Sequence, residues 1–149
     1  MGGRRVIHVE VSRVIWDEQN KGPVVLLKDM NSDYVLPIWI GEPEAMAIVA
    51  ALEHYEFKRP LTHDLMKEII DSLDAKVLHV LISEIKDSTF YARIMLECNG
   101  SVAEIDARPS DSIALALRTG SPIYVAREVF EAGKAIPLRN FSGFENYGV

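Results

Sequence analysis

The stretch Asp106-Ala107-Arg108-Pro109-Ser110-Asp111, running directly into Ser112-Ile113-Ala114-Leu115-Ala116-Leu117-Arg118, most constrains what this chain can fold into. Charge is packed into its front, and an apolar run follows. Proline has a fixed φ and no N–H, so Pro109 suits the first turn of a helix. Ser110 and Asp111 can accept from the free amides there. From Ile113 to Leu117 every side of the helix is apolar, which predicts burial on most of its surface. Asp106, Arg108 and Asp111 therefore sit where a strand hands over to a buried helix, beside unpaired N–H groups.

A second stretch has the same character. Gly41-Glu42-Pro43-Glu44 opens a helix expected to reach about Tyr55, and its Ala45-to-Leu52 part is apolar all round. Upstream, alternation predicts strands over 5–16, 23–28 and 34–40, with Ile7, Val9, Val11 and Ile15 sharing one face of the first. Pro37 places the third strand at an edge or a bulge. After the Lys58-Arg59-Pro60 break, Thr62 is the expected N-cap of a helix from His63 to about Leu73. Its expected buried stripe is Leu65, Met66, Ile69, Ile70 and Leu73.

Strands follow over 76–86, 89–97 and 101–107, the last two joined by the hairpin signal Asn99-Gly100. Gly120 closes the organising helix. A short strand over 122–126 and a helical turn over 128–132 come next. From Lys134 onward periodicity is lost. The reading is thus a domain over 1–134 and a tail over 135–149 carrying Phe141, Phe144 and Tyr147, either docked or loose.

The order strand–strand–strand–buried helix occurs twice. Arg5-Val6-Ile7-His8-Val9 reads against Lys76-Val77-Leu78-His79-Val80, and Glu42-Pro43-Glu44 against Arg108-Pro109-Ser110. This predicts an α+β fold, a duplicated β-β-β-α unit with a mixed or antiparallel sheet of six or more strands around two buried helices. The two charged helix starts would occupy equivalent places, bringing Glu42 and Glu44 toward Asp106 and Asp111. Exposed sheet edges need cover, so a homodimer is expected. His8 and His79, at matching strand positions, read as hydrogen-bonded structural residues.

Composition narrows the function classes. With 149 residues and 48% apolar content, the chain can build one real core. No run approaches the ~18–20 apolar residues that cross a bilayer, so no membrane partner is expected. The first five residues lack the apolar segment of a secretory signal, and a cytoplasmic setting is expected. The single cysteine, Cys98, excludes an internal disulfide and a cysteine-based zinc cluster. A net charge of −6 argues against coating nucleic acid through a broad basic face. It is compatible with an enzyme that touches a few phosphates.

Three stretches together resemble the bifunctional nuclease domain family: Leu36-Pro37-Ile38-Trp39-Ile40-Gly41-Glu42 with Glu44-Ala45; Arg59-Pro60-Leu61-Thr62-His63-Asp64-Leu65; and Asp106-Ala107-Arg108-Pro109-Ser110-Asp111 with Ile113-Ala114-Leu115-Ala116. The resemblance covers about residues 5 to 135. It implies cleavage of both DNA and RNA.

The residues themselves suggest how. Phosphodiester hydrolysis needs an activated water and charge neutralisation on the phosphate, which carboxylates holding divalent cations can supply. Mg²⁺ or Mn²⁺ prefers oxygen ligands. Asp106 and Asp111, with Glu42 or Glu44 from the other helix start, are the expected metal ligands. Arg108 is expected to clamp a phosphate oxygen, and His63 to act as base or acid with Asp64 holding it. Structural readings stand beside these. Acids in a first turn favour the positive end of a helix, Arg108 can be a local ion pair, and Thr62-His63-Asp64 a capping cluster. The alternative function is a non-catalytic homodimeric binding or regulatory module.

Overall fold

A computed structural model describes residues 5–148. Its first strand, β1 (Val6–Asp17), pairs antiparallel with β2 (Gly22–Asp29), which pairs antiparallel with β3 (Tyr34–Trp39). Helices α1 (Glu42–Leu52) and α2 (Thr62–Ser72) follow. A second meander comprises β4 (Lys76–Lys86), β5 (Thr89–Cys98) and β6 (Ser101–Ala107), and leads into α3 (Pro109–Thr119). Then come β7 (Ile123–Ala126), α4 (Arg127–Ala132), the two-residue β8 (Ile136–Pro137) and a 3₁₀ turn over Leu138–Phe141.

The eight strands of the described residues form one sheet in the order β6-β5-β4-β7-β1-β2-β3-β8. β7 lies at the centre, antiparallel to β1 and parallel to β4. The two meanders therefore run outward from β7 in opposite senses, each ending in a helix. The fold is α+β with a mixed sheet, as the residue pattern predicts. The strand–strand–strand–helix order recurs in the topology, and the expectation of a duplicated unit extends no further than that order.

Local chemistry explains the joints. Asn99 and Gly100 take φ of 53° and 80°, the left-handed pair that turns β5 into β6. Gly120 takes φ 70° at the end of α3. Arg108 is the extended N-cap residue of α3 and Pro109 its first helical residue. Neither Ser110 nor Asp111 caps a free amide of α3 by its side chain. The Ser112 hydroxyl instead bonds back to the Arg108 carbonyl at 3.0 Å.

The main core lies between the sheet and helices α1 and α3. Ile48, Ile113, Ala114 and Ala45 are fully buried there against Val25, Leu27, Leu36, Val80 and Ile82. Each large aliphatic side chain so buried contributes about 1.5–3 kcal/mol of transfer free energy. On the opposite face of β1–β3 a second cluster forms from Ile15, Val24, Leu26, Val35 and Phe141. β2 is buried on both faces, so its apolar residues run without alternation.

Ile15 departs from the expected shared face. Pairing of β1 with β2 shifts register between Val11 and Arg13. The extra residue reverses the alternation, sending Val14 to the main core and Ile15 to the second cluster. Pro37 faces Leu26 of β2, while β8 pairs only with Tyr34 and Val35. At Pro37 the strand is thus an edge, as a residue without N–H requires.

The tail is docked. Arg13 donates to Asn146 Oδ1 at 2.8 Å and to the Phe141 carbonyl at 3.0 Å. The Tyr147 amide donates to the Val14 carbonyl at 2.8 Å, and its ring stacks on Trp16. The second cluster needs this segment as its cover. His8 and His79 pack on either side of the Tyr124 ring, with centroids 5.1 and 5.5 Å away. They make no side-chain hydrogen bond to the described residues, so ring contact takes the place of the expected polar role.

α2 also departs from expectation. Met66 and Ile70 pack on the core, but Leu61, Leu65, Ile69 and Leu73 lie 36% to 66% exposed. The apolar stripe is wider than the surface α2 rests on, leaving one edge in water.

Candidate functional site

The first turns of α1, α2 and α3 meet at one cleft of about 560 Å³, lined by Pro43, Glu44, Met46, Phe57, His63, Arg108 and Asp111 among others. First-turn residues of all three helices line it, and the start of a helix carries partial positive charge. Packing of α1 and α2 against α3 in the main fold sets this convergence.

Arg108 links the two halves. Its Nε donates to Asp111 Oδ2 at 3.0 Å, and its Nη2 to Asp111 Oδ1 and Glu44 Oε2, both at 3.3 Å. Its Nη1 makes no bond to the described residues, and the side chain is 62% exposed. Hydrogen bonding and attraction from Asp111 raise the Arg108 pKa further. Gly41 leaves room for this rotamer: a Cβ there would meet Glu44 Oε1, and the carboxylate would have to swing aside.

His63 is the third partner. Its Nε2 lies 2.9 Å from Asp111 Oδ1, with the imidazole only 10% exposed. Burial of Asp111 pushes its pKa up, but bonds from Arg108 and His63 outweigh that and hold it below the ordinary carboxylate range. Asp111 is therefore charged at neutral pH, and Nε2–H must be the donor to it. That leaves the lone pair of neutral His63 on Nδ1. Nδ1 has no partner among the described residues, and no fully buried side-chain N or O among them lacks one. Nδ1 is accordingly reached by solvent.

Asp64 is placed elsewhere. Its Oδ1 accepts from Arg118 Nε at 2.6 Å, and its Oδ2 accepts from the Leu61 amide at 2.9 Å. Burial raises its pKa, and the bonds from Arg118 and Leu61 bring it below the usual value. Thr62 is the first helical residue and Leu61 the cap residue, with Asp64 reaching back to it. The imidazole is thus held from α3 by Asp111 rather than by its chain neighbour.

Both carboxylates titrate below their unfolded value of about 3.9. Their contribution to stability is complete above that pH and is lost as pH falls through their lower folded values. The urea midpoint is expected to drop below about pH 4, and the drop to be shallower in Asp64→Asn/Asp111→Asn. Parallel acid limbs in both proteins would contradict this.

The structure brings Glu44, His63, Arg108 and Asp111 together, and leaves Asp106 and Glu42 apart. Asp106 lies opposite Arg93 across β5 and β6 and shares its face of the sheet. Ala92 and Ile94, next to Arg93, point to the other face and the main core. Arg93 is paired with Glu104. Glu42 accepts from the Tyr147 hydroxyl at 3.1 Å. The expected ligand set is thereby divided among three places. Within the cleft, Arg108 is paired with both Glu44 and Asp111, so its guanidinium already occupies the place between the two carboxylates. Among the described residues no group of three or more His, Cys, Asp or Glu side chains is arranged to hold a metal ion. As placed, these residues do not fit a carboxylate-held Mg²⁺ or Mn²⁺.

Residue reasoning gave no role to Arg118 or Phe57 and placed Tyr147 only in the tail. Nothing in the local pattern pairs Arg118 with Asp64, 54 positions away. Among the described residues no helix is long and apolar enough to cross a membrane.

Comparison with known proteins places the chain. The family model described as the bifunctional nuclease domain matches residues 25–137, which include all four clustered residues. An uncharacterized protein of Mycobacterium tuberculosis (strain H37Rv) is 44% identical over 138 residues, covering 92% of this chain and 79% of that protein. Bifunctional nuclease 1 of Oryza sativa subsp. japonica is 32% identical over 71% of this chain, and Bifunctional nuclease 1 of Arabidopsis thaliana 28% identical over 75%. These matches span 33% and 38% of the two plant proteins. The chain belongs to the bifunctional nuclease domain family.

Proposed function

We propose that this protein is a phosphodiester hydrolase acting on DNA and RNA, with His63 as general base, Asp111 as its orienting carboxylate and Arg108 as the phosphate clamp. The observation that carries the reading is the Asp111 carboxylate, shared at hydrogen-bond distance by an imidazole and a guanidinium at the wall of an open cleft. Family membership supports it.

In this reading a bridging phosphate enters with a non-bridging oxygen on the free Nη1 of Arg108. The converging helix starts favour its negative charge. His63 Nδ1 takes a proton from a water as the water oxygen bonds to phosphorus. The P–O bond to the departing sugar oxygen breaks, and that oxygen is protonated from the imidazolium or solvent. Asp111 stabilises the imidazolium and fixes the tautomer that presents Nδ1. Glu44 holds the far side of Arg108. None of these groups contacts a 2′-hydroxyl by necessity, in keeping with action on both nucleic acids.

The test is hydrolysis of labelled DNA and RNA strands by rigorously purified protein, with Mg²⁺, with Mn²⁺ and with a chelator. Release of cut product that co-purifies with the protein and is lost in His63→Ala is the expected result. Strict dependence on added Mg²⁺ or Mn²⁺ would assign the cation a place in the reaction that the Arg108-bound carboxylates do not provide as they stand.

The second reading, a homodimeric binding or regulatory module, is favoured by the outer edge of α2. Leu61, Leu65, Ile69 and Leu73 are spaced by four and form one exposed line, suited to antiparallel packing on a second copy of itself. A homodimer is proposed under either reading. Light scattering should report twice the 16.7 kDa chain mass, falling to one chain in Ile69→Glu. A wild-type mass of one chain at high concentration would remove the dimer.

A further inference from the structure

We propose that the segment joining α1 to α2 reads single-stranded nucleic acid, stacking unpaired bases on Tyr55 and Phe57 beside the cleft. This rests on the phosphodiester reading above and adds the strand class of the substrate.

Residues 53–61 carry no helix or strand. Within them the Tyr55 and Phe57 rings stack on each other, 5.3 Å between centroids and 30° between planes. They are nonetheless 61% and 46% exposed. Two aromatic rings packed together without cover form a ridge with a free π-face. Phe57 lines the same cleft as His63, Arg108 and Asp111, and Tyr55 lines the neighbouring depression. Lys58 and Arg59 follow directly and make no ion pair or side-chain hydrogen bond with the described residues. Glu53 and Glu56 lie in the same segment, so its charge balances, but Lys58 and Arg59 sit together on the side of Phe57 that leads to the cleft, where Arg108 adds a cation shared with Glu44 and Asp111.

This combination suits a single strand. Bases stack on aromatic faces whatever their identity, and the cations follow the backbone. In a duplex the bases are already stacked on each other, and only phosphates remain to be held. Three cations give weak binding by phosphate alone, with a salt slope of about 2 on a single strand. Base stacking must then supply selectivity. It is indifferent to the sugar, so DNA and RNA strands are accepted alike.

The experiment measures fluorescence anisotropy of the full chain with three labelled probes: a ten-nucleotide thymidine strand, an abasic strand of equal length and a ten-base-pair duplex. Strand integrity is checked on a gel. The thymidine strand is expected to bind about tenfold or more tighter than the abasic strand or the duplex. Tyr55→Ala/Phe57→Ala should abolish that difference and leave abasic binding unchanged, and Phe57→Leu, which keeps apolar bulk, should reduce it. Lys58→Ala/Arg59→Ala should weaken all probes and flatten the salt slope.

Equal binding of thymidine and abasic strands, no binding of any probe, or undiminished preference in the aromatic double variant would overturn the proposal. So would loss of self-association in that variant with strand binding intact, which would make the ridge a protein contact. Cleavage that persists without strand preference defeats this inference and spares the hydrolase reading. Stacking-dependent binding without cleavage does the reverse.

Discussion

Asp111→Asn is expected to reduce phosphodiester cleavage by about 10²–10⁴-fold, the range a positioned general base supplies. The change keeps the volume of the side chain and removes its charge. An amide offers His63 either an acceptor or a donor. It cannot stabilise the imidazolium that forms when Nδ1 takes a proton. It also removes one of the two oxygens that accept from Arg108, so the guanidinium loses its bidentate hold. His63→Ala should lose activity over a similar range, and added imidazole should restore part of it, because the vacated space opens on the same water-filled cleft. Combining the two substitutions should cost little more than either alone, since they act as one unit. Full activity in Asp111→Asn, or additive losses in the double variant, would separate the two residues and end the dyad assignment.

Asp64→Ala should destabilise the protein by about 3 kcal/mol and leave the rate per folded molecule within a few-fold. Arg118 is 7% exposed at its side chain and donates to Asp64 at 2.6 Å and to the Ala114 carbonyl at 3.0 Å. Removing the carboxylate strands a buried guanidinium with half its partners, the costly way to break such a pair. The Leu61 amide loses its acceptor in the same step. For a domain of this size, that corresponds to roughly 6–12 °C in melting temperature. The reverse change, Arg118→Leu, should be milder. Asp64 is 39% exposed and can turn to water, while leucine fills much of the buried space. Asp64→Ala melting with the wild type would show Arg118 to be solvated in solution. A kinetic loss matching that of Asp111→Asn would return Asp64 to the catalytic centre.

The contrast between Asp64 and Asp111 marks the limit of local reasoning. Asp64 is the chain neighbour of His63 and has the residue type its orienting partner needs. On a helix, however, adjacent residues point about 100° apart, so residue 64 turns toward α3's far end while residue 63 turns toward its start. Asp106 shows the same limit on a strand. It precedes Arg108 by two residues, but its side of the pleat is opposite the core on which α3 rests. Neither outcome is encoded in residue type. Both follow from which face of each element the packed sheet and helices leave available.

Periodicity and punctuation carried more. The strand alternation, the Asn99-Gly100 and Gly120 left-handed positions, Pro109 at a helix start and the apolar runs of α1 and α3 determine the elements and their buried faces. They do so because backbone sterics and side-chain spacing act within a few residues. The expected approach of the two helix starts is met by Glu44 and Asp111 through Arg108 and not by Glu42 or Asp106. Tertiary structure alone decided the rest. The bulge in β1 sent Ile15 to a second core, and that core drew the aperiodic tail onto β1–β3. The packing of α2 beside α3 set His63 on Asp111. These choices depend on contacts between residues tens of positions apart, where the energy of burying one face against another outweighs any local preference.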